Sequence, residues 1–368
     1  MIDYFFFIFC YLSVYNIKVK GINNFFDDYM EIENSNSIKG IFVWVIIFCH
    51  KTKYGNFTNY VFNIIVVNLS QKVVSMFLFY SGFGIFYWLK KRGINYVSTL
   101  PIKAIILFIK SQLIILIYLA TNIFILKNQI TLKRYILSVI FKSGLGNSNW
   151  FAFTIIVLYL YSYLSFRFIK NKISFGILIL CFLCFLHVIF VFKYFYPKQY
   201  YTVDTVLCFI SGFIFSFVKN HLDKVMIKND IYYYMITSIT IMFYNKTFTN
   251  NNLINISIKN SLFALLIVFI SMKIKFNNDF LKFLNSHSYS IYLLQRVVMM
   301  VTNKNRYFRN NNFIQISFEF TAIFFLSSFF DKSTVFVDKM FNKKLNITKN
   351  NNYFVLKNIN ANYLKIKI

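Results

Sequence analysis

The chain of 368 residues contains little charge and lacks the common motifs of soluble enzymes. Charged residues make up 14% of it and hydrophobic residues 58%, and the mean hydropathy is +0.55. No Walker loop, dinucleotide fingerprint, HExxH helix or acidic metal cluster occurs in the sequence, which argues against a pump driven by nucleotide hydrolysis. The composition is instead that of an integral membrane protein.

Cysteine is also scarce, and its positions suggest no covalent framework. All five cysteines lie inside apolar runs, where a thiol behaves as a small buried hydrophobe: Cys10, Cys49, Cys181, Cys184 and Cys208. The last three include one CxxC pair, but no second pair of ligands stands near it in the sequence. We therefore predict neither a disulfide nor a metal site.

Acidic residues are few beside basic ones. Twelve Asp and Glu stand against 40 Lys and Arg, which gives a net charge of +28. An excess of this size can indicate nucleic-acid binding, but here the basic residues occupy short stretches between apolar windows and form no extended basic face. We predict membrane lipids, and no nucleic acid, as partners.

Apolar windows of roughly 15 to 25 residues recur along the chain and predict an all-α fold, a polytopic transmembrane bundle of about 10 to 11 helices. The predicted segments are 2–17, 38–50, 69–89, 102–125, 150–169, 173–192, 203–218, 231–244, 253–272, 288–302 and 313–330. The first segment resembles a signal peptide in length. No small-residue cleavage site follows it, and Lys18 and Lys20 lie on the wrong flank, so we favour a retained membrane segment.

The charges of the loops predict the orientation. With the N-terminus outside, about 23 Lys and Arg fall on the inner side and about 13 on the outer side, as the positive-inside rule requires. Three parts follow: residues 1–35 as an N-terminal membrane segment and cytoplasmic loop, 36–330 as the transmembrane domain, and 331–368 as a basic cytoplasmic tail. The tail either lies against anionic headgroups or only fixes the orientation.

One apolar run carries a lysine and a histidine eleven residues apart, Lys39 and His50. Eleven helical steps make almost three turns, so both side chains lie on one helix face, about 16 Å apart along the axis. Ionisable groups inside membrane segments are costly and usually face a protein interior or a wet cavity. His50 is suited to general-base chemistry, and the Lys39 ammonium to holding a phosphate. The simpler alternatives are a histidine that caps its helix and a lysine that snorkels to the membrane boundary.

Further polar residues interrupt the apolar windows, each with two interpretations. Ser81 and Gly82 indicate either a hydroxyl for chemistry or close helix packing. Arg92 and Lys103 indicate an anion site or an orientation signal, and Asn149 with Trp150 a binding loop or an interfacial anchor. Asp204 is expected as a helix N-cap. Three other charges either pair internally or snorkel: Lys110, Arg296 and Glu319.

Five of these stretches, in this order, resemble the signatures of the acyltransferase-3 family of integral-membrane acyltransferases. They are NSIKGIFVWVIIFCH (36–50), MFLFYSGFGIF (76–86), NSNWF (147–151), DTVLCFISGFIFS (204–216) and SHSYSIYLLQ (286–295). Each motif is weak alone, and the ordered set is fairly specific. Two departures stand out. Lys39 replaces the more common arginine, which removes bidentate phosphate recognition. Gln295 stands where many members have a second histidine.

The resemblance implies a multi-pass acetyl-CoA-dependent O-acyltransferase of the bacterial inner (cytoplasmic) membrane. Such an enzyme transfers an acyl group, with acetyl expected, from acyl-CoA to a hydroxyl of a cell-envelope polysaccharide or lipid-linked glycan, with acyl-CoA as donor substrate and no resident cofactor. It implies His50 as the catalytic histidine and Lys39 as its basic partner. We expect the acyl-CoA to contact Lys39, Ser81, Arg92 and Lys103, and the acceptor to contact Asn149 and Trp150.

Direct transfer and relay through an acyl-enzyme on Ser81 or Cys49 both stay open. The chief rival hypothesis is a polysaccharide flippase or other transporter, because transporters also use charges inside the membrane and wet cavities. A second rival is a membrane enzyme of another kind, such as a polysaccharide polymerase.

Overall fold

The computed structural model describes residues 2–54, 60–168, 173–195, 200–246 and 252–363, and over these residues the fold is all-α, as predicted. Every predicted segment overlaps one helix. The helices are α1 (Ile2–Val14), α2 (Ile32–Lys51), α3 (Tyr60–Arg92), α4 (Ile94–Val97), α5 (Leu100–Ala120), α6 (Leu132–Val139), α7 (Trp150–Arg167), α8 (Ile173–Phe195), α9 (Tyr200–Met226), α10 (Asp230–Lys246), α11 (Leu253–Lys273), α12 (Asp279–Ser286), α13 (Ser288–Lys304), α14 (Arg306–Asn310) and α15 (Asn312–Tyr363).

Eight helical segments among the described residues are long and apolar enough to cross a membrane. They are Ile32–Lys51, Asn68–Arg92, Ile94–Ile125, Trp150–Arg167, Ile173–Tyr194, Thr202–Met226, Leu253–Lys273 and Asn312–Phe341. The other three predicted segments, α1, α10 and α13, are shorter helices of 13, 17 and 17 residues. The chain is therefore a multi-pass helical membrane protein that associates with membrane lipids.

Several helix ends differ from the prediction, and two of them concern the predicted division of the chain into three parts. Helix α2 begins at Ile32, inside the part predicted as a cytoplasmic loop, and the Asn34 side chain is buried there. Its side-chain amide donates to the Tyr29 carbonyl at 2.8 Å and accepts from the Phe276 backbone amide at 3.1 Å. The hydrogen-bonding groups of this buried side chain, in the first turn of α2, are therefore satisfied by other parts of the chain. Helix α15 continues without a break past residue 330. The division into three parts stays a prediction.

A small antiparallel sheet, which the sequence did not indicate, joins β1 (Ile17–Val19) to β2 (Ile274–Phe276). Next to the sheet, the Lys273 ammonium lies 2.7 Å from the Asp230 carboxylate, and the same carboxylate accepts a hydrogen bond from the Asn23 amide at 2.6 Å. These contacts fasten the segment after α1 to the end of α11 and the start of α10.

Two glycines permit a close contact between the backbones of α3 and α9. A Cβ built on Gly82 of α3 would overlap the backbone carbonyl of Phe209, and one built on Gly212 of α9 would overlap the carbonyl of Phe79. Each helix thus presents a glycine to the other's backbone, which is the close approach that small residues permit between membrane helices. For Gly82 the packing interpretation is confirmed.

Three embedded acids have identified partners. The Lys51 ammonium lies 2.7 Å from the Glu319 carboxylate, and the Lys110 ammonium 2.8 Å from that of Asp338, so Lys110 and Glu319 pair internally. The expected N-cap role of Asp204 is wrong, because α9 already begins at Tyr200. The Asp204 carboxylate is buried inside the bundle and accepts from the Gln71 amide of α3.

Candidate functional site

Two adjoining cavities lie between α2, α3, α7 and α13. The first, of about 290 Å³, is lined by Lys39, and the second, of about 460 Å³, by His50. Three residues line both cavities and form their common wall: Ile46, Val74 and Tyr292. Lys39 and His50 of α2 therefore both face protein-lined space, as the predicted polar stripe requires.

The Lys39 cavity combines one cation with aromatic hydroxyls. The Lys39 ammonium lies 5.9 Å from the centre of the Tyr80 ring and makes no ion pair with any described residue. The Tyr80 hydroxyl is buried without a hydrogen-bond partner in the described part of the chain. Ser81 also lines this cavity, and its hydroxyl donates to the Phe77 carbonyl at 2.8 Å. Lysine and serine are thus brought together, as predicted.

The imidazole of His50 has an unengaged nitrogen. Its Nδ1 atom is buried and has no hydrogen-bond partner among the described residues, and the same holds for the Tyr292 hydroxyl and for Oε1 of Gln295. The Tyr292 ring lies 6.0 Å from the imidazole, and the Gln295 side chain lies next to it. A ring nitrogen without a protein partner can exchange a proton with a ligand in the cavity.

The loop before α7 closes one side of the His50 cavity, and Asn149 and Trp150 both line it. The Asn149 amide donates to the Ser143 carbonyl at 3.1 Å and accepts from the Asn147 amide. The Asn122 amide, in the π-helical turn Thr121–Ile125 that follows α5, donates to the Leu145 carbonyl at 2.8 Å and so holds the same loop. Since its amide is used to shape the loop, Asn149 has a structural role beside the predicted contact with an acceptor.

Arg92 and Lys103 lie outside the walls of the Lys39 cavity. The Arg92 guanidinium stacks on Trp88 at 4.2 Å, and the Lys103 ammonium donates to the Tyr96 hydroxyl at 3.3 Å. The two cations lie within electrostatic range of each other and form no ion pair within the described ranges. They form a second positive patch, at the end of α3 and the start of α5.

Arg296 and Lys53 are site residues that the sequence reasoning did not assign. Both line the His50 cavity. The Nε atom of Arg296 donates to the Tyr54 hydroxyl at 3.3 Å, and its Nη1 atom donates to the Ser148 hydroxyl at 3.1 Å. A charge inside an apolar window was the only signal for Arg296, whereas Lys53 looks like an ordinary loop lysine.

No family model matches the chain, and the searches of curated proteins and of solved structures also gave no match. The resemblance to the acyltransferase-3 family therefore stays a prediction that rests on the five ordered motifs. Within the described residues, no group of three or more His, Cys, Asp and Glu is arranged to hold a metal ion.

Proposed function

We propose that this chain is an O-acyltransferase of the bacterial cytoplasmic membrane, which moves an acyl group, with acetyl expected, from acyl-CoA to a hydroxyl of an envelope polysaccharide or lipid-linked glycan. One observation carries the proposal. Lys39 and His50, which lie eleven residues apart on α2, line adjoining cavities with a common wall. This arrangement supports a division of labour in which Lys39 serves as the cation for the donor and His50 as the base for the acceptor.

The donor enters at the Lys39 end in this proposal. Lys39 binds a phosphate of CoA, and the patch of Arg92 and Lys103 attracts the remaining phosphates, since ammonium and guanidinium groups are the usual phosphate ligands. About 16 Å separates Lys39 from His50 along the helix axis. An extended pantetheine arm spans such a distance, so the thioester reaches the common wall near His50.

The chemistry takes place at the His50 cavity, where the acceptor lies against Asn149 and Trp150. The imidazole removes the proton of the acceptor hydroxyl, and the oxygen attacks the thioester carbonyl. The C–S bond then breaks, the acyl group stays on the sugar oxygen, and the CoA sulfur takes the proton from the imidazolium. The buried Tyr292 hydroxyl, which has no partner in the described part of the chain, is a suitable donor to the oxyanion.

The test uses the purified full-length protein in detergent with acetyl-CoA and candidate acceptor glycans, following the release of free CoA. We expect His50→Ala to lower turnover by at least about 100-fold, because general-base catalysis by histidine contributes roughly that much or more. His221→Ala is the matched control, since this histidine is exposed on α9 and lines neither cavity. Turnover that His50→Ala leaves unchanged, or no turnover with any acceptor, would contradict the proposal.

The adjoining cavities also favour the transporter hypothesis, because a path between two cavities is what a flippase needs. A transporter would consume no CoA ester and would tolerate His50→Ala. Comparing the glycans of cells with and without the chain, before and after mild base, separates the two functions. Loss of a base-labile acetyl group supports the transferase, and an unmodified glycan that fails to reach the surface supports the transporter.

A further inference from the structure

Among the described residues that line the His50 cavity, three are basic and none carries a carboxylate. Its basic lining residues are Lys53, Lys142 and Arg296, and none of the lining residues is Asp or Glu. The rest of the bundle is different, because Lys51 and Lys273 each meet a carboxylate at 2.7 Å. Lys51 and Lys273 thus have acidic partners, whereas the described residues that line the His50 cavity include no acid.

Arg296 is held in place by neutral groups. Its two described hydrogen bonds go to the hydroxyls of Tyr54 and Ser148. A guanidinium carries five N–H donors, so these bonds fix the plane of the group and leave donors for a ligand. Neither bond supplies a negative charge, and Arg296 makes no ion pair with any described residue.

Lys53 adds a second positive charge to the same cavity, also without an ion pair among the described residues. Desolvation and the charge of Arg296 lower the pKa of Lys53, so the two cations are close enough to repel each other. Two like charges facing one space are costly to bring together, and a bound anion removes that cost. The same pair of groups suits carboxylate and phosphate, to which guanidinium binds in a bidentate manner.

We infer that Arg296 and Lys53 form an anion subsite in the His50 cavity, and that the acceptor of this protein is a negatively charged glycan. The charge is either the carboxylate of an acidic sugar or the phosphate of a lipid-linked precursor. The existence of the subsite is independent of catalysis, whereas its assignment to the acceptor rests on the proposed acyl transfer.

Binding is measured on full-length His50→Ala protein in detergent, where turnover plays no part, by calorimetric titration with three probes: glucuronate, glucose 1-phosphate and glucose. We expect at least one anionic probe to bind about tenfold or more tightly than glucose, because a hydrogen bond between charged groups is stronger than one between neutral groups. Glucuronate alone identifies an acidic sugar, glucose 1-phosphate alone identifies a lipid-linked phosphate, and binding of both supports the shared chemistry.

Variants assign the binding to the two cations. Arg296→Gln and Lys53→Gln should each reduce the preference for the anionic probe about tenfold, whereas Arg296→Lys should retain part of it. Lys133→Gln is the control, because it removes an exposed charge that does not line the cavity. Thermal unfolding of each variant checks that the fold is kept, and Lys53→Gln serves if Arg296→Gln is unstable.

Two results would overturn the inference. One is equal binding of glucose and both anions. The other is displacement of the anionic probes by CoA from a site that Arg296→Gln abolishes, because the cations would then belong to the donor. The proposed function fails separately, through turnover that does not depend on His50 while the anion preference remains.

Discussion

Cations between the helices of this protein occur in two settings. Lys51 and Lys273 each face a carboxylate, and they join helices: α2 to α15 in one case, and α11 to α10 in the other. Lys39 and Arg296 face cavities and have no ion pair in the described residues. Lys39 and Arg296 are half-buried, and a charge that is partly removed from water and lacks a protein partner is costly, so its persistence points to a ligand. A paired charge points to a structural role.

Glu319→Gln tests the paired setting and should have the largest effect. The substitution leaves the buried Lys51 ammonium without its counter-charge, and the Thr302 hydroxyl loses a carboxylate that it contacts at 2.5 Å. We expect a loss of about 3–5 kcal/mol in the free energy of unfolding, measured by denaturant titration in detergent. The double variant Lys51→Met with Glu319→Leu should recover most of it. A loss below 1 kcal/mol would remove the distinction between the two settings.

Lys39→Met tests the unpaired setting, where we expect a small effect on stability and a larger effect on donor binding. Among the described residues, the contact with the Tyr80 ring is the one lost, so the free energy of unfolding should change by no more than about 1 kcal/mol. If the proposed acyl transfer holds, the KM for acetyl-CoA should rise about tenfold, because a phosphate contact is removed. Lys39→Arg keeps the charge and should restore most of the affinity. A large loss of stability would instead make Lys39 structural.

Asp230→Asn should have the smallest effect, confined to one corner of the fold. Unlike Lys51 in the Glu319 variant, the Lys273 ammonium keeps two hydrogen bonds to backbone carbonyls, those of Gly21 at 3.1 Å and Asn24 at 3.0 Å. The substitution weakens the contacts of Lys273 and Asn23, which tie the segment after α1 to the bundle. We expect faster hydrogen exchange at residues 17–26 and 274–276, with His50-dependent turnover little changed. Asp279→Asn is the control, because that carboxylate is fully exposed and its ion pair with Lys282 is at the surface. Unchanged exchange in the Asp230 variant would show that the small sheet holds the corner alone.

The sequence predicted those features that local pattern determines. Apolar length predicted the helices, and helical spacing placed Lys39 and His50 on one face of α2. The structure adds contacts between distant parts of the chain. Arg296 lines the His50 cavity and Gln295 lies beside the His50 ring because α13 packs beside α2, and no local periodicity encodes that contact.

The small sheet and the start of α9 escaped prediction for the same reason, because contacts between distant parts of the chain determine them. The strand Ile17–Val19 is only three residues long, and its partner lies about 250 residues away along the chain. Asp204 was expected to begin a helix because it precedes an apolar run, but the helix extends one turn further back, to Tyr200. Helix ends are the least predictable feature, since tertiary contacts decide where the last polar turn is satisfied.

The reciprocal seating of Gly82 and Gly212 has a mechanical consequence. Each glycine lies against a backbone carbonyl of the other helix, at a point where a methyl group would collide with it. For this reason α3 and α9 cannot slide past each other by a turn without steric overlap. We therefore expect α3 and α9 to move together as one rigid unit. Any widening of the passage between the Lys39 and His50 cavities must then come from displacement of α2 or α13 relative to α3 and α9.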